Sequence, residues 1–173
     1  MVFEPSFSFR VGKGWSTLAP ETSDALALSA QGETRWVGFT NVQEVYKPSS
    51  KGAQKVVEAP KDMVEWFQHH PYLQTDKPER VTVGGVKGKQ FDLVVDAPED
   101  YYGQCGSGDC MDVYMLSDGE TVSFEEGNKT RIVVLEDVKG DTVVLDIGTS
   151  ATEFDEFMPE AQKVLDTVKW TGS

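Results

Sequence analysis

The chain has two cysteines, and they enclose four residues in Cys105-Gly106-Ser107-Gly108-Asp109-Cys110. Glycines at 106 and 108 can take the positive φ angles of a tight loop, and so short a loop brings two Cα atoms within bridging distance. The hexapeptide reads as a structural disulfide between Cys105 and Cys110, and hence as the mark of an oxidising compartment. The alternative is a cytosolic protein with two chance thiols. A Cys-x4-Cys spacing is neither that of a zinc ribbon nor that of a thioredoxin-type redox pair.

Other reactive residue types are sparse. Gly103-Gln104-Cys105-Gly106-Ser107 matches a stretch around the nucleophile of papain-type proteases, but Gly108 and Asp109 replace the Cys-Trp that should follow. That chemistry also needs a histidine downstream of the nucleophile, whereas His69 and His70 both lie upstream. No Gly-x-Ser-x-Gly elbow is present, and Gly84-Gly85-Val86-Lys87-Gly88 joins strand to strand instead of cradling a phosphate. Adjacent histidines on a helix end point about 100° apart, which makes chelation of one ion by both awkward. One solvated and one packed imidazole at 69 and 70 is the plain expectation, with a binding role as the other reading. Asp137 and Asp141 flank a turn without a calcium-loop pattern. Asn128-Lys129-Thr130 forms a glycosylation sequon in what reads as an exposed turn. Tyr101 and Tyr102, leading into the cysteine loop, are the rigid amphipathic type that binding surfaces use. No catalytic residue, metal site or cofactor is expected.

Composition sets the class. The 173 residues are 39% hydrophobic and 26% charged, which suits one globular domain over 1–173. No apolar run approaches the roughly 20 residues of a membrane helix. A net charge of −13 opposes binding to nucleic acid or to lipid headgroups. Met1 is followed by Val2, Phe3 and Glu4 without a basic segment and apolar core, so a mature form is expected, its export signal or lipid anchor removed.

The elements that must position these residues are mostly strands. Alternation of Phe7, Phe9 and Val11 predicts a strand over 7–11, and a second is expected over 26–30. Residues 35–46, with Trp36, Val37, Phe39, Val42 and Val45, suit one longer strand ending at Pro48. Residues 48–52 have loop composition. Pro60 is placed at the first position of a short helix with Met63, Val64, Trp66 and Phe67 on its core face. Strands then follow over 81–83, 89–95, 111–116, 121–124, 131–135 and 142–147, separated by hairpin-type turns. Ile132 and Val134 alternate with Val133 and Leu135, so that strand is apolar on both faces and central. Ser150 and Glu153 read as a capping box for a helix running to the chain end, kinked or divided at Pro159. The fold class is α+β: a mostly antiparallel sheet packed by a mid-chain and a C-terminal helix.

Three segments together carry a resemblance: Phe7-Ser8-Phe9 running to Gly14-Trp15, Val81-Thr82-Val83-Gly84-Gly85 with Gly88 and Phe91, and Phe157-Met158-Pro159-Glu160-Ala161 continuing to Leu165-Asp166-Thr167-Val168. They resemble secreted or lipid-anchored bacterial envelope proteins of actinobacterial type, similar in turn to the PsbP-like fold of the photosystem II extrinsic subunit and of mycobacterial lipoproteins. The resemblance implies an α/β/α sandwich, an extracytoplasmic address and a non-enzymatic binding or assembly module; a monomer is expected. The expected partner is an envelope protein met through Tyr101, Tyr102 and the cysteine loop. The alternative is a carrier holding a small ligand or metal ion in a pocket between sheet and helix, and a hydrolase is third. A carrier needs a concave pocket and a protein-binding module an exposed apolar patch.

Overall fold

The computed structural model describes residues 3–18, 22–30, 34–48, 55–103, 106–107 and 110–171. In chain order these form β1 (Phe7–Ser8), β2 (Trp15–Leu18), β3 (Ala25–Ala30), β4 (Arg35–Asn41), β5 (Glu44–Tyr46) and β6 (Val56–Glu58). Helix α1 (Met63–Gln68) leads to β7 (Leu73–Thr75), β8 (Glu79–Val83) and β9 (Val86–Val95), then to the short pair β10 (Tyr102–Gly103) and β11 (Gly106–Ser107). The chain closes with β12 (Cys110–Met115), β13 (Thr121–Glu125), β14 (Asn128–Val138), β15 (Asp141–Ser150), α2 (Phe154–Leu165) and β16 (Lys169–Trp170).

Eight strands build one antiparallel sheet in the order β2-β3-β4-β15-β14-β9-β7, with β8 also paired to the first half of β9. The long strands β14 and β15 sit at its centre because they are apolar on both faces, as the alternation predicts. Ile132 and Val134 point to one core with Val144, Phe91 and Leu93, while Val133 and Leu135 point to the other with Val143 and Leu145. Helix α2 covers the second core through Phe157, Ala161 and Leu165. The first core is covered by α1, through Met63, Val64 and Phe67, and by a second sheet of order β13-β12-β5-β6. The α+β class is therefore observed, as a central sheet between a helix on one side and a helix plus a small sheet on the other.

Several local expectations are corrected. The single strand over 35–46 is two: β4 joins the large sheet, and after Val42 and Gln43 the chain crosses so that β5 pairs with β6 and β12 in the small one. Helix α1 begins at Met63, not Pro60, because the Asp62 carboxylate accepts the Glu65 N–H at 2.8 Å and caps the first turn. Helix α2 begins after Glu153, with no side-chain cap, since Ser150 still belongs to β15 and its hydroxyl faces the Glu153 carboxylate instead. It runs as one helix through Pro159 and stops at Leu165; Val168 is buried beyond it, and β16 turns back to pair with β1. Asn128 starts a strand and donates to Glu125 at 3.2 Å, half-buried, where an exposed turn was expected.

Candidate functional site

The small sheet stands off from the β3-β4-β15 half of the large one and leaves a cleft of about 590 Å³ between them. Its floor comes from alternate residues of one sheet face, Ala25 and Ala27 of β3, Trp36 and Gly38 of β4, and Asp146 of β15. Leu116, Thr121, Val122 and Ser123, from the β12–β13 hairpin, form the facing wall. That hairpin is pinned by Asp24, which accepts the Ser117 N–H at 2.7 Å, the Ser117 hydroxyl at 2.9 Å and the Thr22 hydroxyl at 2.7 Å. Burial alone would raise the Asp24 carboxyl, but these donors outweigh it and hold it below its ordinary value.

Asp146 is the unusual residue of the cleft. It is 6% exposed, lies between apolar neighbours on its strand, and faces Gly38 and Ile132 across the sheet. The Trp36 indole N–H donates to its Oδ2 at 2.9 Å. Removal from water raises the carboxyl to about 6, against the partial opposition of the Trp36 and backbone donors. The nearby Tyr114 hydroxyl is fully buried and has no hydrogen-bond partner among the described residues. It is pushed well above its usual range first by burial and then by the Asp146 charge.

Two glycines make room for this arrangement. A Cβ at Gly38 would lie 2.5 Å from Asp146 Oδ1, and a Cβ at Gly148 would lie 2.2 Å from the Trp36 ring. Neither approach is physically possible, so side chains at 38 and 148 are excluded as long as the carboxylate and the indole occupy their places. The floor is thus a four-residue constellation, Trp36, Gly38, Asp146 and Gly148, set by the β4–β15 register.

The residues singled out from sequence stand elsewhere. His69 is exposed on the end of α1, its Nδ1 at 3.0 Å from the Glu65 carbonyl. His70 is buried, accepts the Tyr72 N–H on Nδ1 at 3.2 Å, and is driven down to about 4 by desolvation. Its ring meets Trp66 and Tyr72 edge to face, and Tyr72 meets Tyr101 in turn. Tyr101 is 3% exposed, and its hydroxyl accepts the Asp112 N–H at 3.0 Å, so this ring is core and presents no surface to a partner. Tyr102 is in β10, paired with Ser107. Cys110 is buried at the start of β12; Cys105 and the Tyr102 side chain lie outside the described residues, and so does the predicted disulfide. Among the described residues no three His, Cys, Asp or Glu side chains gather to hold a metal ion, and no helix is long and apolar enough to cross a membrane.

Sequence reasoning passed over Asp146, Trp36 and Tyr114. One signal was present: Val143-Val144-Leu145-Asp146-Ile147-Gly148 sets a lone acid inside an otherwise apolar strand, and a charge there is buried unless the register slips.

No family profile matches the sequence, and no curated protein does. The architecture does have counterparts among solved structures. The solution structure of cyanobacterial PsbP (CyanoP) from Synechocystis sp. PCC 6803 superposes with a TM-score of 0.51, covering 97% of this chain and 88% of that one at 11% identity. The fold is PsbP-like. LpqN, described as involved in cell envelope biogenesis of Mycobacterium tuberculosis, gives a TM-score of 0.44 at 12% identity over 96% of this chain and 84% of that one. At such identities the PsbP-like likeness describes the backbone and transfers no site residue.

Proposed function

We propose that this protein is a non-enzymatic, extracytoplasmic binding module that holds a small ligand in the cleft between its two sheets. The cleft carries the reading: it is concave, partly apolar, and has a single built polar feature, the Trp36–Asp146 pair, at its floor. The competing idea of an envelope protein docked on the surface asks for an exposed apolar patch. Among the described residues Val11 is the one large hydrophobic side chain that is exposed, and Tyr101 is buried. No histidine, cysteine or lysine lines the cleft among the described residues. The extracytoplasmic address rests on the two-cysteine loop.

Thermal unfolding against a panel of small amphiphiles, glycans and divalent metals tests the reading. A ligand at about 100 times its dissociation constant is expected to stabilise the wild type by about 2 to 3 kcal/mol. Ala27→Phe, which fills the cleft from the floor, is expected to abolish that response. A flat panel, or a response untouched by Ala27→Phe, would return the function to a protein partner.

A further inference from the structure

We propose that the ligand of this cleft is an organic cation, a protonated amine on a compact apolar body, with its ammonium group on Asp146. The inference rests on the reading of the cleft as a small-ligand site and names the chemistry of the ligand. The charged side chains lining the cleft are all of one sign: Asp146 at the floor, Glu120 and Glu125 at the ends of β13, and Glu153 before α2. Glu153 is shared with Arg35 at 3.7 Å, so the lining acids without an ion pair among the described residues are Asp146, Glu120 and Glu125. A cleft with acidic walls focuses a negative potential inward, which excludes anions and concentrates cations.

The floor then selects among cations. A buried carboxylate with no positive partner is a costly arrangement that an arriving ammonium relieves. Trp36 donates to Oδ2, and the carboxylate borders the space that a side chain at Gly38 would fill, on the face that lines the cleft. A hard metal ion asks for several oxygens in a closed shell, and the described residues offer no such group. An ammonium needs only acceptors, and the Asp146 carboxylate at the cleft floor supplies one. Leu18, Ala27, Trp36 and Val122 give the apolar surface for the rest of the molecule, and an indole is the favoured aromatic neighbour of a cation.

Such a site releases its ligand on acidification. The groups that face Asp146 are Tyr114 from β12, the indole of Trp36 from β4, and the glutamates of the rim; none carries a positive charge that would hold the carboxyl ionised in acid. Protonating Asp146 removes the anchor.

Isothermal titration with three probes of one size decides the matter: tryptamine, its neutral counterpart tryptophol, and the anionic indole-3-propionate. Tryptamine is expected to bind the wild type at least about tenfold more tightly than the other two, and Asp146→Asn to bring it level with tryptophol. Lowering the pH from about 7.5 to about 5 is expected to weaken tryptamine about tenfold, since its amine stays protonated and only the ionised fraction of Asp146 changes. This wild-type series carries the test by itself should the variant not fold. Tryptophol binding as tightly as tryptamine, or tryptamine indifferent to both Asp146→Asn and pH, would overturn the cation while leaving the cleft a small-ligand site. Absence of saturable binding by all three would overturn both.

Discussion

Asp146 and His70 are buried, ionisable and perturbed in opposite senses, and their pH effects oppose each other. Asp146 is raised from 3.8 to about 6, so between those values the folded state holds a proton that the unfolded state has released. Stability from this group is full below about pH 4 and is lost as the pH rises through 6, by about 3 kcal/mol for a shift of this size. His70 is lowered from 6.5 to about 4, so its contribution is full above pH 6.5 and is lost as the pH falls toward 4, by a similar amount of about 3 kcal/mol. Across this shared window the two nearly cancel, and the wild type should show a shallow profile from them. Asp146→Asn keeps the shape and an acceptor for the Trp36 N–H while removing the buried charge. The variant is expected to be more stable than wild type by about 2 to 3 kcal/mol near pH 7, with the difference closing by about pH 4. It should also reveal the His70 slope, its stability now climbing with pH. Urea unfolding of both proteins at several pH values measures this, and a variant less stable than wild type at neutral pH contradicts the burial argument. A site residue that costs stability when unliganded fits a binding role, because function and folding ask different things of one carboxylate.

Helix α2 joins two conflicting signals. Its face of Phe154, Phe157, Ala161, Val164 and Leu165 is buried at helical spacing, and Arg35, with a side chain 7% exposed, reaches the N-cap Glu153 and two acids of the helix, Glu156 and Glu160, while its guanidinium sits 5.7 Å from the Phe157 ring centre. Against this, Pro159 is the sixth residue of the helix, where it has no N–H for the Asp155 carbonyl. Its side chain is exposed, so replacing it loses no packing. Pro159→Ala is therefore expected to stabilise the protein by about 1 to 3 kcal/mol, read as a higher urea midpoint at unchanged slope. A lower midpoint would mean that the proline shapes the helix to the sheet and is not merely tolerated. Elements of this kind were legible in the sequence wherever one periodicity ran unopposed. The β14 alternation, the α2 stripe and the hairpin glycines at 84–85 all gave themselves away locally. What stayed hidden was long-range. Val42 and Gln43 look like mid-strand residues, yet there the chain leaves one sheet for another, and the small sheet pairs β5 with a strand about 70 residues further on. The cleft exists only because of that crossing, so no local pattern could outline it. Tyr101 departs from its sequence reading for the converse reason: a ring in a loop-like sequence can still be drawn into the core by its neighbours, here Tyr72.

At the scale of the molecule, one sheet serves two cores, and this bears on how the protein unfolds. Phe67 of α1 packs on one face with Phe91 and Tyr114, and Phe157 of α2 packs on the other with Val133 and Leu135. The two cores are separated only by the backbone of β14 and β15, whose successive residues belong alternately to each. Neither face can lose its packing without exposing the partner residues of the same strands, so the cores are coupled through the ladder itself. The expectation is a single cooperative unit across the whole chain. Phe67→Ala and Phe157→Ala are each predicted to destabilise by about 3 to 5 kcal/mol. In both variants, tryptophan fluorescence and far-ultraviolet circular dichroism should still report one coincident transition. The four tryptophans make the comparison sharp, because Trp66 packs against the α1 core whereas Trp15 and Trp170 pack against the α2 core. If Phe157→Ala produced an early transition seen by fluorescence and not by backbone dichroism, the α2 core would be a separable layer. The cleft, which shares Trp36 and Asp146 with the sheet, would then persist in a state that has lost the helix; a single transition means that ligand affinity and global stability rise and fall together.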